Sequence, residues 1–131
     1  MFRKTNVSPL EAELQSIASN NYGFTPRIHS IEEDVVIMDK INGLCLAEKY
    51  TDDPKKIPMH IWQEIHRILL ILFEREGIEY VDITSYNFME DSEGKIWIID
   101  FGHAYYTGKK EVNWFLKEFL DGDFGWNPDF A

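Results

Sequence analysis

The sequence predicts an α+β domain in which helices supply most of the core and short paired strands carry the irregular segments. Three features predict it. Residues 58–75 carry a wide apolar helical stripe; stretches near both ends keep helical spacing; and two pairs of short β-like runs are each joined by a turn signal. No repeat, low-complexity tract or Gly/Ser-rich linker divides the 131 residues. One domain spanning 1–131 is therefore expected.

Ser8-Pro9-Leu10-Glu11 opens the first helix, with Ser8 as cap, Pro9 at the first helical position and Glu11 completing a capping box. Leu10, Leu14, Ile17 and Ala18 follow as one buried stripe, and Asn20-Asn21-Tyr22-Gly23 ends the helix. Residues 27–31 and 34–38 read as two strands around Glu32-Glu33-Asp34. The second, Val35-Val36-Ile37-Met38, has the character of a buried strand. The first rests on short length and β-branched residues, because Ile28 and Ile31 lie three apart and break alternation. After Asn42-Gly43 a short helical stretch runs from about Leu44 to Tyr50, then a polar loop over 51–56. In residues 58–75, Ile61, Ile65, Ile68, Leu69 and Leu72 share one face, and Trp62, Leu70 and Phe73 widen it. A stripe that wide suits a central helix packed on several sides, and Gly77 is its natural stop. Residues 86–89 and 95–99 form a hairpin turning at Asp91-Ser92-Glu93-Gly94. Val112, Phe115, Leu116, Phe119 and Leu120 mark a last helix. Residues 121–131 read as irregular, pinned by Phe124 and Trp126.

Composition removes several function classes. With 23 acidic against 13 basic residues and a net charge of -10, the chain lacks the clustered basic surface that nucleic acid or an anionic membrane requires. The longest apolar run, residues 68–73, is far too short to span a bilayer. Cys45 is the single cysteine, and the first residues lack the apolar run of a signal peptide, so a soluble protein of the reducing cytosol is expected. His29, His60, His66 and His103 have no metal-ligand spacing with Cys45 or one another.

The informative segment is Tyr80-Val81-Asp82-Ile83-Thr84-Ser85-Tyr86-Asn87, followed after the hairpin by Ile98-Ile99-Asp100-Phe101-Gly102. An acidic residue directly after Trp97-Ile98-Ile99 ends a strand expected to be buried, and a carboxylate there needs a partner or a metal. Asp-x-x-x-x-Asn, a hairpin and Asp-Phe-Gly together resemble the catalytic and metal-binding loops of the protein-kinase-like superfamily. Five specified residues at about 5% each arise by chance about 3 times in 100,000 over such a chain. The resemblance implies a phosphotransferase using ATP and magnesium. Asp82 would orient the accepting hydroxyl and take its proton. Asn87 and Asp100 would hold the metal through hard oxygens, Phe101 and Gly102 would complete the metal loop, and Gly102 would permit the turn that aims Asp100 inward.

On the same resemblance, residues 8–43 are a remnant of the small lobe and hinge, with one helix and two strands, and 44–131 are a reduced large lobe. Met38 falls at the gatekeeper position, and Asp39 and Ile41 offer backbone groups to the adenine. The ion-pairing glutamate of the first helix is Glu11, with Glu13 as rival; either could instead be a first-turn acid favoured by the helix dipole. Lys4, seven residues before Glu11, is the sole upstream lysine. It reads as a vestige of the lysine-bearing strand or, the reading preferred, as a solvated terminal charge. Thr84, two after the aspartate, is similar to the compact kinases of the KEOPS tRNA-modification complex. No Gly-rich loop precedes the first helix, Tyr80-Val81 stands where the family has His-Arg, and no Ala-Pro-Glu follows Gly102. Two functions follow from this pattern. One is a minimal kinase-like phosphotransferase completed by a protein partner or a second copy; the other is a pseudokinase-like regulatory module without turnover.

Overall fold

A computed structural model describes residues 1–131. Along the chain lie β1 (Phe2–Lys4), α1 (Pro9–Tyr22), β2 (Ile28–Glu32), β3 (Val35–Met38), β4 (Gly43–Cys45), α2 (Leu46–Tyr50), α3 (Met59–Glu76), β5 (Ile78–Glu79), β6 (Phe88–Asp91), β7 (Ile96–Ile98), β8 (Tyr105–Tyr106) and α4 (Trp114–Leu120). The strands form three small sheets in the orders β1-β3-β2, β4-β6-β7 and β5-β8.

The first sheet has three strands where the sequence predicts two. Phe2-Arg3-Lys4 contains no β-branched residue, so nothing local marks it as a strand. Its extended state comes from antiparallel pairing with β3, which sets Phe2 opposite Met38 and Lys4 opposite Val36. The broken alternation in β2 has a physical cause as well. Its register against β3 shifts between Ile28 and Ser30, and a bulge of this kind re-aims the extra side chain. His29 is thereby free to meet Asp39, Nε2 to Oδ1 at 2.5 Å.

Ser8 caps α1, its Oγ accepting from the Glu11 N–H at 3.1 Å, and Gly23 ends the helix at φ 70°. The capping box is only half made, because the Glu11 carboxylate turns away to Lys4. The buried face is also rotated from the expected stripe. Leu10 is exposed while Glu11 and Gln15 are buried. Gln15 Nε2 donates to Pro26 O at 2.9 Å and lies 3.4 Å from Met38 Sδ, so this polar edge of α1 serves the first sheet. Ala12 joins the small apolar cluster of Val7, Val36 and Met38, whereas Leu14 and Ala18 belong to the 22-residue main core. One helix thus ties the sheet to the core.

α3 buries Ile61, Trp62, Ile65, Ile68, Leu69 and Leu72 and stops at Gly77, φ 64°. Each such side chain contributes about 1.5–3 kcal/mol on burial, so packing rather than propensity holds this helix. Leu44 and Cys45, expected to begin a helix, instead belong with Gly43 to a strand on β6, and α2 starts only at Leu46. A Cβ at Gly43 would lie 2.3 Å from Glu90 O; the close strand approach requires glycine. After α4, Phe124 and Trp126 pack on Trp62 with ring centroids 6.0 and 4.5 Å away.

Candidate functional site

A cleft of about 460 Å³ opens between the first sheet and the β6–β7 hairpin, within the size range of small-molecule sites. Phe2 and Lys4 of β1, Met38 at the end of β3, and Asp39 and Ile41 beyond it line the cleft together with Asn87, Met89, Ile99 and Asp100. Pairing of β1 with β3 places Lys4 there, and the hairpin returns Asp100 to the edge that Asn87 occupies. The Ile99 N–H donates to Asn87 O at 3.0 Å and locks that return.

Lys4 is not a solvated charge. Its Nζ pairs with Glu11 and lies 3.3 Å from Asp100 Oδ1, and its side chain is only 24% exposed. Burial pulls the ammonium pKa down, but the hydrogen bonds and charges of Glu11 and Asp100 outweigh it and hold Lys4 above the usual lysine value. Glu13 sits elsewhere, its Oε2 accepting from Tyr106 Oη. The chain after β3 presents backbone groups. The Asp39 N–H is used by Arg27 O at 2.9 Å, while the Asp39 carbonyl and both backbone groups of Ile41 make no hydrogen bond within the chain.

Asn87 is buried, and its Nδ2 donates to the Asp82 carbonyl at 2.9 Å. That bond assigns the amide orientation, and Oδ1 makes no bond within the chain. Asp100 is more open than a strand-end carboxylate was expected to be, 41% exposed at the side chain. Its Oδ1 accepts from the Gly102 N–H at 2.7 Å. An unpartnered amide oxygen and a half-open carboxylate on one cleft are hard donors suited to magnesium. Asp82 does not line the cleft; its Oδ2 meets His103 Nδ1 at 2.9 Å, and its backbone is tied to the cleft through Asn87.

Two metal-loop residues play different parts from those expected. Phe101 does not reach the cleft. It is 1% exposed and packs edge-on against Tyr80 at 5.3 Å, because its apolar ring anchors the loop in the core. Gly102 has no positive φ, and a Cβ there would crowd two carboxylates, standing 3.0 Å from Asp100 Oδ1 and 3.5 Å from Glu11 Oε1.

Sequence reasoning missed Phe2, Met89 and Ile99 as cleft walls. Met89 was legible in principle, since two residues on in the expected strand 86–89 it shares a face with Asn87; Phe2 was not, because nothing local marks β1 as a strand. It also missed Tyr80, whose hydroxyl donates to the Asp100 carbonyl. Burial, then the charges of Asp82, Asp100 and Glu11, push that phenol well above its ordinary pKa, so it remains a neutral donor. No local signal marks this contact.

A family model described as the RIO domain matches residues 10–121. Among curated proteins, the chain is 30% identical over 102 residues to a probable serine/threonine-protein kinase BUD32 homolog of Archaeoglobus fulgidus, covering 78% of this chain and 48% of that protein. It is 31% identical over 67 residues to a 3-deoxy-D-manno-octulosonic acid kinase of Xylella fastidiosa, covering 50% of this chain and 25% of that one. The chain therefore spans between a quarter and a half of the length of these relatives. Among solved structures, the Cydia pomonella granulovirus kinase PK-1 superposes with a TM-score of 0.64 at 18% identity, over 79% of this chain and 40% of that one. Rv3197 of Mycobacterium tuberculosis, solved with erythromycin, gives 0.62 at 24% identity, over 77% and 27%. These structural likenesses establish a kinase-like fold of which this chain carries a part.

Proposed function

We propose, from the premise that this chain belongs to the RIO-domain family of the protein-kinase-like superfamily, that it transfers the γ-phosphoryl group of Mg-ATP to an acceptor hydroxyl. The observation that carries the reading is the convergence of Lys4, Asn87 and Asp100 on one cleft beside the unpaired Asp39 carbonyl and Ile41 backbone groups. Adenine would lie against Met38 and bond the Asp39 carbonyl and the Ile41 N–H. Lys4, aimed by Glu11, would meet the phosphates. Asn87 Oδ1 and the Asp100 carboxylate would hold magnesium, which supplies neutralisation of the phosphate charge. The acceptor oxygen bonds to the γ-phosphorus as its proton passes to Asp82. The bond from phosphorus to the β–γ bridging oxygen breaks, and ADP leaves.

Within residues 1–131 no Gly-rich loop covers the phosphates. That observation favours a second reading, a pseudokinase-like module that binds nucleotide or a partner without turnover. On the first reading a protein partner or a second copy of the chain completes the site. The single, buried Cys45 suits a cytosolic setting. Magnesium-dependent ATP binding and turnover by the wild type, Asp82→Ala and Asp100→Ala test the choice. Loss of a general base costs about 10²–10⁴-fold, so Asp82→Ala should bind ATP but hardly turn it over, and Asp100→Ala should lose metal-dependent binding. Binding without wild-type turnover, with any acceptor offered, would leave the second reading.

A further inference from the structure

We infer that Asn127 is a positioning residue for Asp82, so that the segment following α4 sets the geometry of the proton acceptor. Asn127 is fully buried, 0% exposed. Its Nδ2 donates to Val81 O at 2.8 Å, and its backbone N–H donates to Ile83 O at 2.8 Å. Those are the carbonyls on either side of Asp82. The Asp82 carbonyl accepts from Asn87 Nδ2 at 2.9 Å. Three successive carbonyls are thus fixed, the outer two by one distant residue, and the Asp82 backbone cannot rotate without breaking one of these bonds.

The Asn127 amide has one workable orientation. Its Oδ1 accepts from the Asp129 N–H at 3.0 Å, which leaves Nδ2 for Val81. The segment carrying it is anchored by Trp126 on Trp62, ring centroids 4.5 Å apart. It also reaches Asp82 by a second route: Phe130 packs on His103 at 5.0 Å, and His103 Nδ1 meets Asp82 Oδ2 at 2.9 Å.

A brace is needed here because residues 80–87 contain no helix or strand. A functional side chain must be held within about 0.5 Å of its productive place. Burying an amide costs free energy unless it is fully bonded. Asn127 directs both its side-chain donor and its own backbone donor to the two residues that flank Asp82.

The inference rests on the phosphotransferase reading only for its turnover arm. The experiment compares Asn127→Asp and Asn127→Ser with the core substitution Ile65→Val, each shown by circular dichroism to be folded at the assay temperature. Asp keeps the Oδ1 acceptor but loses the donor to Val81; Ser is too short to reach it. Two readouts are taken: kcat and KM for ATP, and the ¹³C resonance of the Asp82 carboxyl, assigned by its disappearance in Asp82→Asn. Both Asn127 variants are expected to lower kcat about 10- to 100-fold with KM for ATP within about twofold, and to move the carboxyl resonance. Ile65→Val is expected to leave kcat and the resonance unchanged. A folded Asn127 variant with wild-type kcat and an unmoved resonance would overturn the inference, as would an equal response from Ile65→Val. Should the wild type show no turnover, the phosphotransferase reading fails while the resonance still decides the brace. Should neither Asn127 variant fold, hydrogen exchange of the Asn127 side-chain amide in the wild type decides: slow exchange supports the brace, and exchange at the rate of an exposed amide refutes it.

Discussion

Replacing Lys4 by Met separates a buried ion pair from a surface charge. Glu11 is 6% exposed, and its carboxylate is bonded to Lys4. In Lys4→Met that carboxylate remains in place without its cation. Removing one partner of a fully buried pair costs about 3–5 kcal/mol. Lys4 keeps a 24% exposed side chain and its second partner, Asp100, a 41% exposed one, so solvent screening reduces the expected loss to about 2 kcal/mol. For a chain of this size that is roughly a 6–10 °C fall in Tm. Urea denaturation should show a lower midpoint with an unchanged slope. The double variant Lys4→Met/Glu11→Gln removes the buried orphaned charge, leaves only the half-open Asp100 without its cation, and should recover about 1 kcal/mol or more relative to the single variant. A loss below about 0.5 kcal/mol, the range of surface substitutions, or strict additivity in the double variant would refute the buried-pair argument. The same variant should weaken Mg-ATP binding, because the cleft would then carry Asp100 with no cation beside it.

Three further outcomes are expected. Glu79 is 1% exposed and accepts from Tyr105 Oη, Thr107 Oγ1 and the Asn113 N–H. Glu79→Ala should therefore cost about 3 kcal/mol or more and speed amide exchange at Asn113; an unchanged denaturation midpoint would contradict this role. Burial and then the Glu79 bond raise Tyr105 to about 12, and the Glu13 bond and then burial raise Tyr106 to about 12, against an ordinary value of 10.0. Folding favours both neutral phenols, so their contribution to stability is complete below about pH 10 and is lost as pH rises toward 12. Denaturation midpoints should fall over that window, and less steeply in Tyr105→Phe/Tyr106→Phe; a flat profile counts against it. Gly43→Ala sets a Cβ 2.3 Å from Glu90 O and should cost about 1–3 kcal/mol by overpacking, read as a lowered Tm, whereas a neutral result would show that β4 can move aside.

Local sequence pattern determined the long elements and singled out Asp82, Asn87 and Asp100. α1, α3 and α4 follow from apolar spacing and end signals, with Gly23 and Gly77 as left-handed stops. The β6–β7 hairpin follows from two short runs around Gly94, and it is short enough for Asn87 and Asp100 to be read as neighbours before any tertiary information. Tertiary structure alone decided the rest. Three residues, Phe2-Arg3-Lys4, are a strand only because the edge of β3 offers them partners. The choice of Glu11 over Glu13 as the partner of Lys4 depends on which way α1 rolls against that sheet. Phe101 lies in the core, and His103 and Asn127 gather around Asp82, through contacts between residues far apart in the chain. Periodicity records which face of an element is apolar. It carries no record of which distant polar group will lie within hydrogen-bonding reach, because that depends on how the elements pack together.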